Sequence, residues 1–136
     1  MNEAVIAGVI ASSIMSGTSL LYASLGEIVS ERGGVVNLGL EGIMVIGAAF
    51  GFAATAVSGS PYLGIAAAAL AGAAANLVFA YVVVGRHANQ LAAGLTLMFF
   101  GFGLSALAGR PFVGASIAGL PRMPLFGETP DAISGR

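Results

Sequence analysis

Four long apolar runs, Val5–Leu25, Val35–Val57, Tyr62–Gly85 and Leu91–Gly109, take up most of the 136 residues. Each comes close to the roughly 20 residues that a helix needs to cross the hydrocarbon of a bilayer. A soluble domain would normally have about 25% charged residues to cover its surface. Here only 8% are charged and 57% are hydrophobic. Lipid is the solvent that suits such a chain. The expected fold is all-α, a polytopic membrane bundle of four transmembrane helices.

The same composition excludes several functions. A net charge of −1 with no Lys leaves no basic face for nucleic acid. Without Cys there are no disulfides, zinc–thiolate sites or thiol nucleophiles. His87 is the single histidine and has no neighbours at ligand spacing, so no metal site is expected and the residue reads as part of a solvated loop. A Ser–His–Asp arrangement would need that one His beside a serine across membrane loops. Gly101-Phe102-Gly103-Leu104-Ser105-Ala106 formally matches a dinucleotide fingerprint, but inside an apolar span it reads as helix packing. There is no Walker A motif, so no ATP hydrolysis and no cofactor are expected of this chain.

Between the first two runs lies the polar segment Gly26–Gly42, GEIVSERGGVVNLGLEG, with Glu27, Glu31, Arg32 and Glu41. Glu27, Glu31 and Arg32 read as a cytoplasmic turn, with Arg32 placed to neutralise either carboxylate. Asn37 and Glu41 differ, because unbroken apolar sequence follows them. Polar groups retained at membrane depth usually face a bundle interior or a water-filled path. The glycines around them lower helix stability by about 1 kcal/mol each relative to Ala, so the second helix is expected to start late or be interrupted. Asn37 and Glu41 either cap that broken start or line a substrate path, and the two roles are compatible because a helix N-terminus favours a carboxylate.

Small residues recur at helical spacing. Gly64, Ala68, Gly72, Asn76 and Ala80 lie every four residues in the third run, Gly47 and Gly51 in the second, and Gly101, Ser105 and Gly109 in the fourth. Such stripes let neighbouring helices approach closely. Asn76, within its stripe, is expected to hydrogen-bond across a helix interface, with substrate contact as the lesser alternative. Ser58-Gly59-Ser60-Pro61 is a turn with Pro61 opening the third helix. Arg86, His87, Ala88, Asn89 and Gln90 make a short polar connection between the third and fourth.

Met1-Asn2-Glu3 has no positive n-region, so the first run reads as a retained helix and not a secretory signal. Its acidic head and the following Arg32 place the N-terminus outside, since cytoplasmic loops collect basic residues. Arg86 and His87 then fall inside as the rule asks, whereas Arg110 and Arg122 fall outside against it. Residues 1–109 form the expected transmembrane unit, and 110–136, rich in Pro, Gly and Arg, an external loop with the look of a truncated end.

The block E-x-x-x-E-R-x-G-x-x-N-L-G-x-E-G, Glu27 to Gly42, resembles the permease subunits of ABC importers for nucleosides and simple sugars, in the branched-chain amino acid and ribose permease superfamily. Ala88-Asn89-Gln90 followed by Gly94-Leu95-Thr96-Leu97 matches that family's cytoplasmic turn and next helix, and the resemblance extends from about Gly17 to Gly119. It implies the N-terminal half of a longer permease of the cell membrane. It also implies alternating access, a second permease subunit, a cytoplasmic ABC ATPase and an external substrate-binding lipoprotein as partners. By the same likeness Asn37 and Glu41 fall in the interrupted-helix region and Asn89 and Gln90 at the inner turn.

Two other readings remain open at the level of residues. A membrane protein that acts only by helix association would use the same small-residue stripes. Half of an ion-coupled secondary transporter would need an intramembrane carboxylate, for which Glu41 is the candidate.

Overall fold

A computed structural model describes residues 3–117 and 119. The chain forms α1 (Glu3–Arg32), α2 (Leu40–Ser58), α3 (Pro61–Ala80) and α4 (Gln90–Gly109). A π-helical turn, Tyr81–Gly85, prolongs α3, and a 3-10 turn, Arg110–Phe112, follows α4. No strand occurs among the described residues. All four helices are long and apolar enough to cross a membrane, and the chain is an all-α, multi-pass membrane bundle. Arg122 and most of the expected external loop lie outside the described residues.

Among the described residues only Ile46, Phe79 and Val83 are buried large hydrophobic residues, while more than two dozen others, from Val5 to Val113, stand exposed. That is the inverse of a water-soluble core and suits a chain whose apolar surface faces lipid or other protein. The backbone polar groups are closed within the helices. The hydroxyls of Ser13, Thr18 and Ser24 on α1 each donate to the carbonyl four residues earlier, at 2.7–2.8 Å, which satisfies those donors within the helix.

The small-residue stripes do place helix against helix, through α2. Its buried residues are Gly42, Ile46, Gly47, Gly51 and Thr55. On one side Gly51 meets α3: a Cβ there would stand 3.0 Å from the Ala68 Cβ and 3.1 Å from the Gly64 carbonyl oxygen. A Cβ on Gly64 would in turn come 2.8 Å from the Gly51 carbonyl and collide with the Thr55 hydroxyl. On the other side α2 meets α4 at Gly42 and Gly101, where a Cβ on Gly101 would lie 2.6 Å from the Gly42 Cα. With lipid as solvent there is no hydrophobic drive between helices, and such backbone-close contacts supply van der Waals packing instead. Gly72 makes a looser contact, its Cβ direction 3.5 Å from Ile43, and Gly109, grouped with the stripes by spacing, faces open space. Ser105 donates to the Phe102 carbonyl of its own helix at 3.0 Å.

Two boundaries differ from the expected spans. α1 does not end at Leu25 but continues to Arg32, so Glu27, Glu31 and Arg32 lie on a helix and not in a turn. Gly33 and Gly34 end it, with Gly34 at φ +81° and the Val35 N–H donating back to the Ser30 carbonyl at 3.1 Å. α2 starts at Leu40, five residues after the expected Val35. The short turn between α2 and α3 has Gly59 in the left-handed region at φ +69°, its N–H bonded to the Thr55 carbonyl at 2.8 Å, and Pro61 opens α3.

Gly101 and Gly103 lie on one helix, yet a Cβ at Gly103 meets nothing within 4 Å. Gly101→Ala should therefore destabilise the bundle by about 1–3 kcal/mol through overpacking, while Gly103→Ala should be neutral or mildly stabilising. Thermal unfolding in detergent checks this, and equal Tm values for the two variants would mean that α2 and α4 do not touch where described.

Candidate functional site

The end of the bundle where α1 and α3 finish and α2 and α4 begin carries the polar chemistry. Between Arg32 and Leu40 the chain is not helical; the N–H groups of Gly33, Gly34 and Val35 bond back to the end of α1, while those of Val36, Asn37 and Gly39 turn to side chains. At membrane depth each such group needs a partner from protein or from a water-filled cavity.

Side chains from α1 and α4, with Asn37 itself, supply those partners, and Asn76 on α3 holds Asn37 in place. Gln90, the first residue of α4, acts like a neighbouring strand: its Oε1 accepts the Val36 N–H at 2.8 Å and its Nε2 donates to the Gly34 carbonyl at 3.1 Å. From α1, Glu27 Oε1 accepts the Asn37 N–H at 2.7 Å. Asn37 is buried, with 6% of its surface exposed. Its Oδ1 accepts the Gly39 N–H at 2.9 Å, and its Nδ2 donates to Asn76 Oδ1 on α3 at 3.3 Å. The Leu40 N–H then bonds to the Asn37 carbonyl at 3.3 Å. Asn37 thus both turns the chain into α2 and ties it to α3, in the manner of an Asx turn.

Steric fit completes the seat. Gly39 and Gly94 press backbone on backbone: a Cβ on Gly94 would lie 2.8 Å from the Leu38 nitrogen, and one on Gly39 2.8 Å from the Gly94 carbonyl oxygen. The sequence reading did not single out this pair. The signal was present, since Gly94 stands seven residues before Gly101 on the same face of α4. Asn89 caps that helix, its Oδ1 accepting the Ala92 N–H at 3.1 Å. His87 reaches φ +53° in the connection before it.

Of the expected site residues, Glu27, Asn37, Asn76 and Gln90 come together. Glu41, Glu31, Arg32 and Arg86 are exposed and take no part in this network. Glu41 occupies the first turn of α2. A notch of about 230 Å³ opens beside the network between α1, α2 and α3, lined among others by Glu27, Ser30, Asn37, Ile43 and Asn76. A wider apolar groove of about 470 Å³ separates α3 from α4, with Phe79, Val82, Ala93 and Phe100 on its walls. No cluster of His, Cys, Asp and Glu among the described residues could hold a metal ion.

Residues 9–132 match the family model described as the branched-chain amino acid transport system permease component. The chain is 41% identical over 117 residues to a provisionally named glucose ABC transporter permease protein of Haloferax volcanii, covering 86% of this chain and 36% of that protein. It is 38% identical over 95 residues to a nucleoside ABC transporter permease protein of Lactococcus lactis, and 33% identical over 95 residues to a guanosine ABC transporter permease protein of Bacillus subtilis. Each of these last two matches covers 65% of this chain and 30% of the relative. The chain therefore spans about a third of the length of the curated relatives it matches. No solved structure matches it. With four membrane-spanning helices and a match over nearly its whole length, the chain belongs to the branched-chain amino acid transport permease family and is a multi-pass protein of the plasma membrane.

Proposed function

We propose that this chain is the N-terminal part of the transmembrane permease of an ABC importer for nucleosides or simple sugars. The importer works by alternating access, driven by ATPase subunits on the cytoplasmic side. A second permease subunit completes the path and an external binding protein delivers substrate. The observation that carries the reading is the match of residues 9–132 to the permease family, on a chain whose four helices are long and apolar enough to cross a membrane. The polar seat at the entry to α2, where Asn37 is buried and bonded to Asn76, supports it, since polar groups kept in a membrane bundle usually face its interior or a water-filled path. The named substrates of the relatives, glucose, nucleosides and guanosine, support the substrate class.

In this reading the N-terminus is outside and both polar connections, 33–39 and 86–89, face the cytoplasm, where Arg32 and Arg86 obey the rule for basic residues. The chain has no Cys, so single cysteines give a clean map. Ser58→Cys should react with an impermeant thiol reagent in intact cells, and His87→Cys only after permeabilisation. The reverse pattern overturns the topology.

Glu41 is exposed on the first turn of α2, and its side chain makes no hydrogen bond among the described residues. A carboxylate in a membrane-spanning helix usually faces a water-filled path or a partner. Glu41→Ala in the full-length transporter should lower uptake about tenfold, the worth of a charged hydrogen bond, with unchanged insertion into the membrane. Loss of insertion would make Glu41 structural instead.

A further inference from the structure

Three polar groups of the notch between α1, α2 and α3 have hydrogen-bonding capacity that the fold does not use. Glu27 gives Oε1 to the Asn37 N–H, which leaves Oε2 as an acceptor. Asn76 gives Oδ1 to Asn37, which leaves its Nδ2 with two protons to donate. The Ser30 hydroxyl, which can do both, lines the same space. Asn37 itself, turned fully onto backbone and Asn76, is the wall that orients them.

The notch holds about 230 Å³, below the roughly 300–1,000 Å³ of sites for drug-sized ligands. That is room for a single small ring. A second notch of about 230 Å³ adjoins it, sharing Ser30 and Asn76, but its other walls are apolar: Val29, Val35, Phe79 and Val84. A polar compartment beside an apolar one is unusual in a bundle whose described surface is otherwise largely apolar.

We infer that the Glu27–Ser30–Asn76 notch is a subsite on the transport path for a ring bearing adjacent hydroxyls. The inference rests on the importer reading above and names the part of the substrate that this chain would hold. A carboxylate oxygen accepts from one hydroxyl while the carboxamide donates to its neighbour, and a vicinal diol offers both groups side by side. The chemistry is common to a hexose and to the ribose of a nucleoside. A nucleoside additionally has a flat, less polar base, for which the adjoining Phe79–Val84 compartment is the matching neighbour.

The test compares substrates with and without the diol in the full-length transporter with its partners. Uptake of guanosine is set against 2′,3′-dideoxyguanosine, and uptake of glucose against 2-deoxyglucose. Glu27→Gln keeps an acceptor for the Asn37 N–H and alters the unused atom, so the loop stays seated. Asn76→Ala removes the donor. Both should lower uptake of the hydroxylated member of a pair about three- to tenfold, the worth of one hydrogen bond, and leave the deoxy member unchanged. A change in the guanosine pair alone identifies ribose as the ring held, and a change in the glucose pair alone identifies a hexose. Because each substitution lies in this chain, a shifted ratio cannot come from the external binding protein. Equal loss for both members of each pair, or no loss, at normal membrane levels overturns the subsite alone. A parent transporter that carries neither class overturns the importer reading and the subsite together. If Asn76→Ala fails to insert, the Glu27→Gln ratio decides by itself.

Discussion

A peptide segment without helical hydrogen bonds cannot lie at membrane depth unless something else bonds its N–H and C=O groups. Residues 36–39 are such a segment, since the N–H groups of 33–35 still bond back to the end of α1, and the arrangement around them follows from that requirement. Gln90 serves the backbone of residues 34 and 36, Glu27 serves Asn37, and Asn37 serves Gly39 and reaches Asn76. Each helix other than α2 thereby sends one side chain to the place where α2 begins. Removing any one would leave a polar group unmade in a medium of low dielectric, which costs about 1–3 kcal/mol. Four polar side chains of this otherwise apolar chain, Glu27, Asn37, Asn76 and Gln90, are accounted for by that one seat.

The second constraint is steric. Gly42 against Gly101, Gly51 against Gly64 and Gly39 against Gly94 bring backbones together with no side chain between them. The three contacts lie along α2 and the stretch leading into it, so α2 is clasped by α4 near its start and by α3 further along. Contacts of this kind have no flexible side chain to give way, and the interior near them behaves as close-packed matter that transmits displacement. α1 differs. From Glu3 to Gly26 every residue with a described side chain except Ala23 is exposed, and its contact with the rest comes from its last two turns.

Much of this was legible before any coordinates. Apolar runs of bilayer length specify helices whatever their detailed sequence, and Asn37 among glycines signals that the second helix starts late. Spacing also marks which faces are small. What spacing leaves open is which small face meets which, since any two such faces can dock. Gly101 could have met Gly47 as readily as Gly42, and Gly109 continues a stripe with nothing opposite. The end of α1 was misplaced for a related reason. Glu27, Glu31 and Arg32 resemble a solvated turn in one dimension, but helices tolerate charges on their flanks and end where the backbone changes, here at Gly33 and Gly34. Once α1 runs on to Arg32, Glu27 points back at Asn37 and becomes part of the seat. Its partner is ten residues away in sequence, with no periodic signal to join them.

The two constraints together say where this unit can yield. A motion that separated α2 from α4 would have to break the Gln90 clasp and lift glycine backbones apart at the same time, so these helices and residues 33–39 move as one body. α3 is fixed to the same body by the Gly51–Gly64 contact and the Asn37–Asn76 bond. α1 differs, since among the described residues its side-chain hydrogen bond to the rest is that of the Glu27 carboxylate near its end. Relative displacement is therefore least costly along the α1 seam, which borders the polar notch. A path that must open and close without dissolving its fold requires that division between a rigid core and a looser neighbour.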